Sequence, residues 1–116
     1  MKFNQSLQEE VYLLDEDIQE MVEMLSSEDE GDRIVAAVNL QQECDEATVP
    51  FLIHALNDSS TSVQLTAVTT LWELANANAV LPLMNCINSK RDKKVSQEAC
   101  SALKELINQD HLMKLL

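Results

Sequence analysis

Residues Val49–Asn76 read VPFLIHALNDSSTSVQLTAVTTLWELAN. Val49, Leu52, Ile53 and Leu56 stand at i, i+3, i+4 and i+7, the spacing that lines one face of a helix. A polar turn, NDSSTS, follows, rich in the Ser, Asp and Asn that cap helix starts. Beyond it Val63, Ala67, Leu71 and Leu74 mark a second helical face. The stretch predicts two helices folded back on each other around a short turn.

The same unit recurs on both sides. Shifting the first register back by 31 gives Ile18, Met21, Val22 and Leu25; shifting it forward by 31 gives Val80, Leu83, Met84 and Ile87. All are apolar, which chance rarely delivers in a chain that is 46% hydrophobic. We call these the A helices. The second register moves forward by 32 to Val95, Ala99, Leu103 and Leu106. Back by 31 it meets Asp32, Ala36, Leu40 and Glu43, which fits only in the middle. These are the B helices, and the small residue at their second position lets helix backbones approach closely. A lone helical pair cannot bury two apolar faces, but stacked pairs can. Helix lengths of roughly 10 to 14 residues, or 15 to 20 Å, are expected.

The chain reads as one domain, residues 1–116: a cap over 4–14, repeats over 15–45, 46–77 and 78–108, and a segment 109–116. Leu7, Val11 and Leu14 give the cap a helical stripe with Ser6 as its expected N-cap, covering the first repeat as half a unit. Leu112, Leu115 and Leu116 match the start of a further A helix, so 109–116 is either a terminal cap, which we favour, or the start of a fourth repeat.

Composition supports an all-α chain. Aromatics make up 3%, with one Gly and two Pro, and no period-two strand pattern is present. The three Cys, at 44, 86 and 100, have no CxxC spacing and read as small buried apolar residues in a reducing, cytoplasmic setting. No signal peptide is visible, and no apolar run is long enough to span a membrane. The net charge is −12, and residues 1–46 hold all of the excess, with 14 acidic and 2 basic side chains. Such a field repels nucleic acid and attracts a basic partner, although solubility alone is a sufficient reason for it.

The pattern VPFLIHALNDSSTSVQLTAVTTLWEL resembles HEAT repeats, the short kind of phycobilisome-lyase-type proteins. Val49, Pro50, Leu52, Ile53, Leu56, Asp58, Val63, Ala67, Leu71 and Leu74 carry the likeness, and Leu83, Met84, Ile87, Val95, Ala99, Leu103 and Leu106 carry it into the third unit. It covers about residues 15–108. The Arg expected after the turn Val is present only as Arg33; Gln64 and Ser96 replace it, which weakens an Arg–Asp ladder. The resemblance implies an α-solenoid with B helices on its concave side, binding other proteins. It also implies a competing role, a lyase-like factor handling a bilin on a phycobiliprotein, without a catalytic motif to transfer. A terminal segment of a larger structural solenoid is the third reading.

Candidate contacts on the B helices are Arg33, Gln64, Trp72 and Asn76. Trp72 and Asn76, four apart, resemble the indole–amide pair with which armadillo repeats clamp an extended peptide. Trp72 replaces the polar Gln41 and Lys104 of the neighbouring units, which suits a surface position. The alternative, to which we give more weight, is that Trp72 fills the joint between repeats with Leu65 and Val68 while Asn76 ends the helix. Glu28, Asp29, Glu30 and Asp32 form an acidic patch on the first turn, set against Lys90, Arg91, Lys93 and Lys94 on the third, an arrangement that would allow weak self-association. His54 and His111 stand alone, and no metal, cofactor or catalytic signature is found. The expectation is a non-enzymatic adaptor for a protein or peptide, with no cofactor.

Overall fold

A computed structural model of the chain describes residues 3–88 and 92–106, which form helices and no strand. The seven helices are α1 (Gln5–Val11), α2 (Glu16–Met24), α3 (Glu30–Glu43), α4 (Val49–Ala55), α5 (Thr61–Leu74), α6 (Val80–Asn88) and α7 (Lys93–Leu106). Single 3-10 turns, Glu46–Thr48 and Ala77–Ala79, lead into α4 and α6. The A helices are α2, α4 and α6; the B helices are α3, α5 and α7. The segment 109–116 and the side chains of Lys90, Arg91 and His111 lie outside the described residues.

Repeat symmetry reaches the backbone. Each B helix spans 14 residues and opens on a side-chain cap. Asp29 accepts from the Gly31 N–H, Ser60 from the Val63 N–H and Asp92 from the Lys94 N–H. At their far ends, Cys44 and Ala75 both turn left-handed, with φ of 51°, and donate their N–H groups to Leu40 and Leu71. Asp45 and Asn76 then cap the two 3-10 turns through the N–H groups of Ala47 and Asn78. A left-handed alanine or cysteine is strained, so the link is dictated by the packing around it. The 3-10 turns take up residues ahead of α4 and α6, and the three A helices run 9, 7 and 9 residues, below the expected range.

The B helices stack α3 on α5 on α7, and each packs on its own A helix. Ala36, Ala67 and Ala99, the small residues of the second register, are fully buried, as are Leu40, Leu71 and Val95. Pro50 falls in the first turn of α4, where no N–H is needed. Two details differ from the sequence reading. Cys44 is exposed, because it is the left-handed cap rather than a core residue. Met84 is exposed while Cys86 is buried, so the third A stripe is rotated at its centre.

The N-terminal segment also sits differently. Asn4, not Ser6, caps α1, accepting from the Leu7 N–H at 2.9 Å. The Phe3 ring meets Phe51 edge-on at 5.3 Å and His54 at 4.9 Å, both on α4. The segment thus packs on α2 of the first unit and reaches α4 of the second through Phe3, while the side of the first unit between α2 and α3 stays open. An open recess of about 300 Å³ on that side is lined by Asp17, Glu20, Met21, Met24, Asn39 and Glu43. Their counterparts 31 residues later are Thr48, Phe51, Leu52, Ala55, Thr70 and Leu74, all buried except the half-buried Leu74. Polar substitution at those positions lets the first unit face water where an inner unit faces its neighbour.

Candidate protein-binding surface

Arg33 is a buried polar side chain held by five hydrogen bonds. It is 8% exposed and lies between the first and second turns. Nε donates to Asp58 Oδ2 at 3.0 Å, and Nη2 donates to Asp58 Oδ1 at 3.3 Å and Ser59 Oγ at 3.4 Å. Nη1 donates to the carbonyls of Ser27 and Glu28 at 2.9 and 3.1 Å. These five acceptors match the five N–H donors of a guanidinium. Asp58 in turn accepts from the Ser60 N–H at 2.8 Å, closing its own turn. One rung of the Arg–Asp ladder therefore exists, and it joins two repeats. Expected as a surface contact, Arg33 instead holds the first junction together.

Gln64, in the register position of Arg33, is also buried, and its amide donates to the Asp58 carbonyl. It serves the turn of its own unit and offers no surface. Asn76 lies past the end of α5, because the chain turns at Ala75. It is therefore not on one helix face with Trp72, and its side chain caps a 3-10 turn as the counterpart of Asp45. A clamp made by the Trp72–Asn76 pair is not formed.

Trp72 is different. It is 40% exposed and flanks a groove of about 140 Å³ between α5 and α7. Val68 and Ala102 contribute apolar surface to the groove, and Glu98 and Glu105 add carboxylates. The preferred reading of Trp72 as joint filler is thus only partly met: the indole borders the joint, and much of it faces solvent. Val35 and Val38 on α3 are exposed as well. They hold the register positions of Glu98 and Ser101, which line the groove, so they lie on the same B-helix face.

The acidic patch is a set of helix-start residues. Asp29 caps α3, and Glu30 and Asp32 occupy its first turn, where negative charge favours the helix dipole. Ser27 Oγ donates to Asp32 at 3.0 Å, and the Glu28 carbonyl serves Arg33. All four side chains are exposed. On the third turn, Lys93 and Lys94 are exposed at the start of α7. His54 is partly buried on α4, with no hydrogen-bond partner for Nε2. Burial pushes its imidazole below its ordinary pKa, and the Asp58 carboxylate pulls the other way.

The family model for HEAT repeats matches residues 18–104, most of the chain and all three helical pairs. The chain is a HEAT-repeat protein. HEAT repeats generally mediate protein–protein interaction, so a protein partner is the family's expectation here. The match reaches the repeat class and not the lyase-type subgroup. No curated protein matches the sequence significantly. Among the described residues of this HEAT array, no helix is long and apolar enough to cross a membrane. The exposed valines, the Gln41 bond described below and the left-handed links were not singled out from the sequence. Only the 31-residue spacing of Asp45 and Asn76 could have flagged the links in advance.

Proposed function

We propose that this HEAT-repeat protein is a non-catalytic adaptor that binds a protein or peptide segment on its B-helix face, with Trp72 as the anchor. The observation that carries the reading is the half-exposed indole beside a groove between two B helices. Large aromatic side chains next to a partly formed pocket dominate the energetics of many interfaces, because they bury much area at little conformational cost. Val35 and Val38 extend an apolar track toward α3. Glu98 beside the groove favours a partner with lysine or arginine next to its apolar contact. The free thiols suit a reducing, cytoplasmic setting.

Affinity capture with the purified chain, quantified by mass spectrometry and repeated with Trp72→Ala, tests the proposal. A partner that depends on Trp72 should lose roughly tenfold or more in affinity, as expected when a hot-spot aromatic is truncated. A partner retained equally by both proteins would place the binding elsewhere.

A further inference from the structure

A second surface lies away from the B-helix face. The turn after α1 presents Tyr12 and Leu13 to solvent, and Leu13 is 85% exposed. The turn is held in place, since the Leu13 N–H donates to the Glu10 carbonyl at 3.0 Å and the Leu14 N–H to the Val11 carbonyl at 3.1 Å. Leu13 is thus fixed in a position where it contributes almost nothing to the core. Beside it opens a cleft of about 400 Å³, whose far wall is the linker edge of the second unit. Leu13, Leu14, Pro50 and Ile53 give the cleft apolar walls, and Glu10 and Glu46 line it with carboxylates. Among the described residues, no lysine or arginine lines it. The cleft is open to solvent, with room to seat a single bulky side chain against its walls.

We propose that this cleft is a second docking site, for a partner-protein segment that presents a bulky aliphatic or aromatic side chain beside a lysine or arginine. The apolar walls take the side chain, and Glu10 and Glu46 select the flanking cation. The charge argument extends beyond the cleft, because the first 46 residues hold 14 acidic and 2 basic side chains. That field speeds the approach of a basic segment and opposes an acidic one. The inference stands independently of binding at Trp72, and the two sites can be separated by mutation.

The test uses the full isotope-labelled chain with acetyl-Lys-Leu-Phe-Lys-amide and its glutamate counterpart, acetyl-Glu-Leu-Phe-Glu-amide, followed by NMR. The lysine peptide should shift the Leu13, Ala47 and Ile53 signals saturably, with an affinity on the order of millimolar for so short a segment. The glutamate peptide should not. Leu13→Ser and Glu46→Lys should each weaken the response about fivefold, and Trp72→Ala should leave it unchanged. Because Leu13 and Glu46 are exposed, both variants should keep the parent's thermal unfolding. Four results would overturn the proposal: equal response to both peptides, no saturable shift, loss of the response on Trp72→Ala, or indifference to Leu13→Ser. A sedimentation mass that falls on Leu13→Ser without peptide would identify a second copy of the chain as the occupant and overturn it too.

Discussion

The junction between the first and second repeats and the junction between the second and third are built from the same helical register, yet they are closed differently. At the first, Arg33 of one unit is buried on Asp58 of the next, and Gln41 on α3 donates to Glu73 on α5 at 3.3 Å. At the second, Gln64 replaces Arg33 and turns inward to its own unit. Trp72 and Glu105 replace Gln41 and Glu73 and line an open groove. A polar lock holds the first junction, and at the second an indole borders the groove proposed as the partner's surface. Matching links therefore do not imply identical joints, and the side chains that break the repeat are the ones that distinguish the locked joint from the proposed site.

The largest way to break that contrast is to remove the lock. Arg33→Ala leaves the Asp58 carboxylate buried without its cation and should cost about 3–5 kcal/mol in chemical denaturation. Gln64→Ala, at the equivalent position, removes one hydrogen bond from the side-chain amide to the Asp58 carbonyl and should cost only about 1–2 kcal/mol. Equal losses would mean that the two joints are alike after all. Pairing Arg33→Met with Asp58→Leu should restore part of the stability, since apolar replacement of a buried ion pair is often tolerated. Recovery will be incomplete because Asp58 also accepts from the Ser60 N–H.

Next in size is converting the second joint toward the first. Trp72→Gln recreates the residue of the first junction and should change stability by less than about 1 kcal/mol, because the indole is only half-buried. Binding of a B-face partner should nevertheless fall roughly tenfold or more by calorimetry.

The links sharpen the comparison in the opposite sense, because they are the same at both joints. Cys44→Gly and Ala75→Gly relieve a left-handed backbone and should each stabilise by about 0.5–1 kcal/mol, net of the greater freedom of glycine when unfolded. Unequal effects would show that the joints differ in backbone as well as in side chains.

The smallest expected effect is a pH slope from His54. Its folded-state pKa is lowered by burial, so the unfolded chain binds the proton more readily. The stability from neutral His54 is fully present above the ordinary pKa of 6.5 and is lost as pH falls below it. His54→Gln should remove that part of the slope in denaturation midpoints measured on either side of that pKa. An unchanged slope would mean that the imidazole is solvated in both states.

The fold was legible in the sequence because helical periodicity reports which residues share a face. Offsets of 31 and 32 residues located the described A and B helices, and the alanines at the second B position are fully buried. Depth within a face was not legible. Arg33 reads from the sequence as a surface contact, although the resemblance to HEAT repeats hints at an Arg–Asp ladder; its partner, Asp58, stands 25 residues away on another turn, and only stacking brings the two together. Asn76 reads as the end of the helix, or less favourably as part of its face, yet it lies two residues past α5; nothing local announces that an alanine will turn left-handed. Trp72 was ambiguous for a related reason: it adjoins the fully buried Leu71, and a rotation of a fraction of a turn decides whether the indole is covered. The exposure of Leu13 followed from where the N-terminal segment crosses, which has no repeat to predict it.

Trp72 is the only tryptophan of the chain, so its own emission reports on the proposed site. Acrylamide quenching, measured in the free protein and again with the captured partner at saturation, tests the adaptor reading most directly. The account predicts an indole that is readily quenched when free and is shielded, with blue-shifted emission, when the partner is bound. An indole already shielded in the free protein, or one quenched equally in the saturated complex, would contradict it.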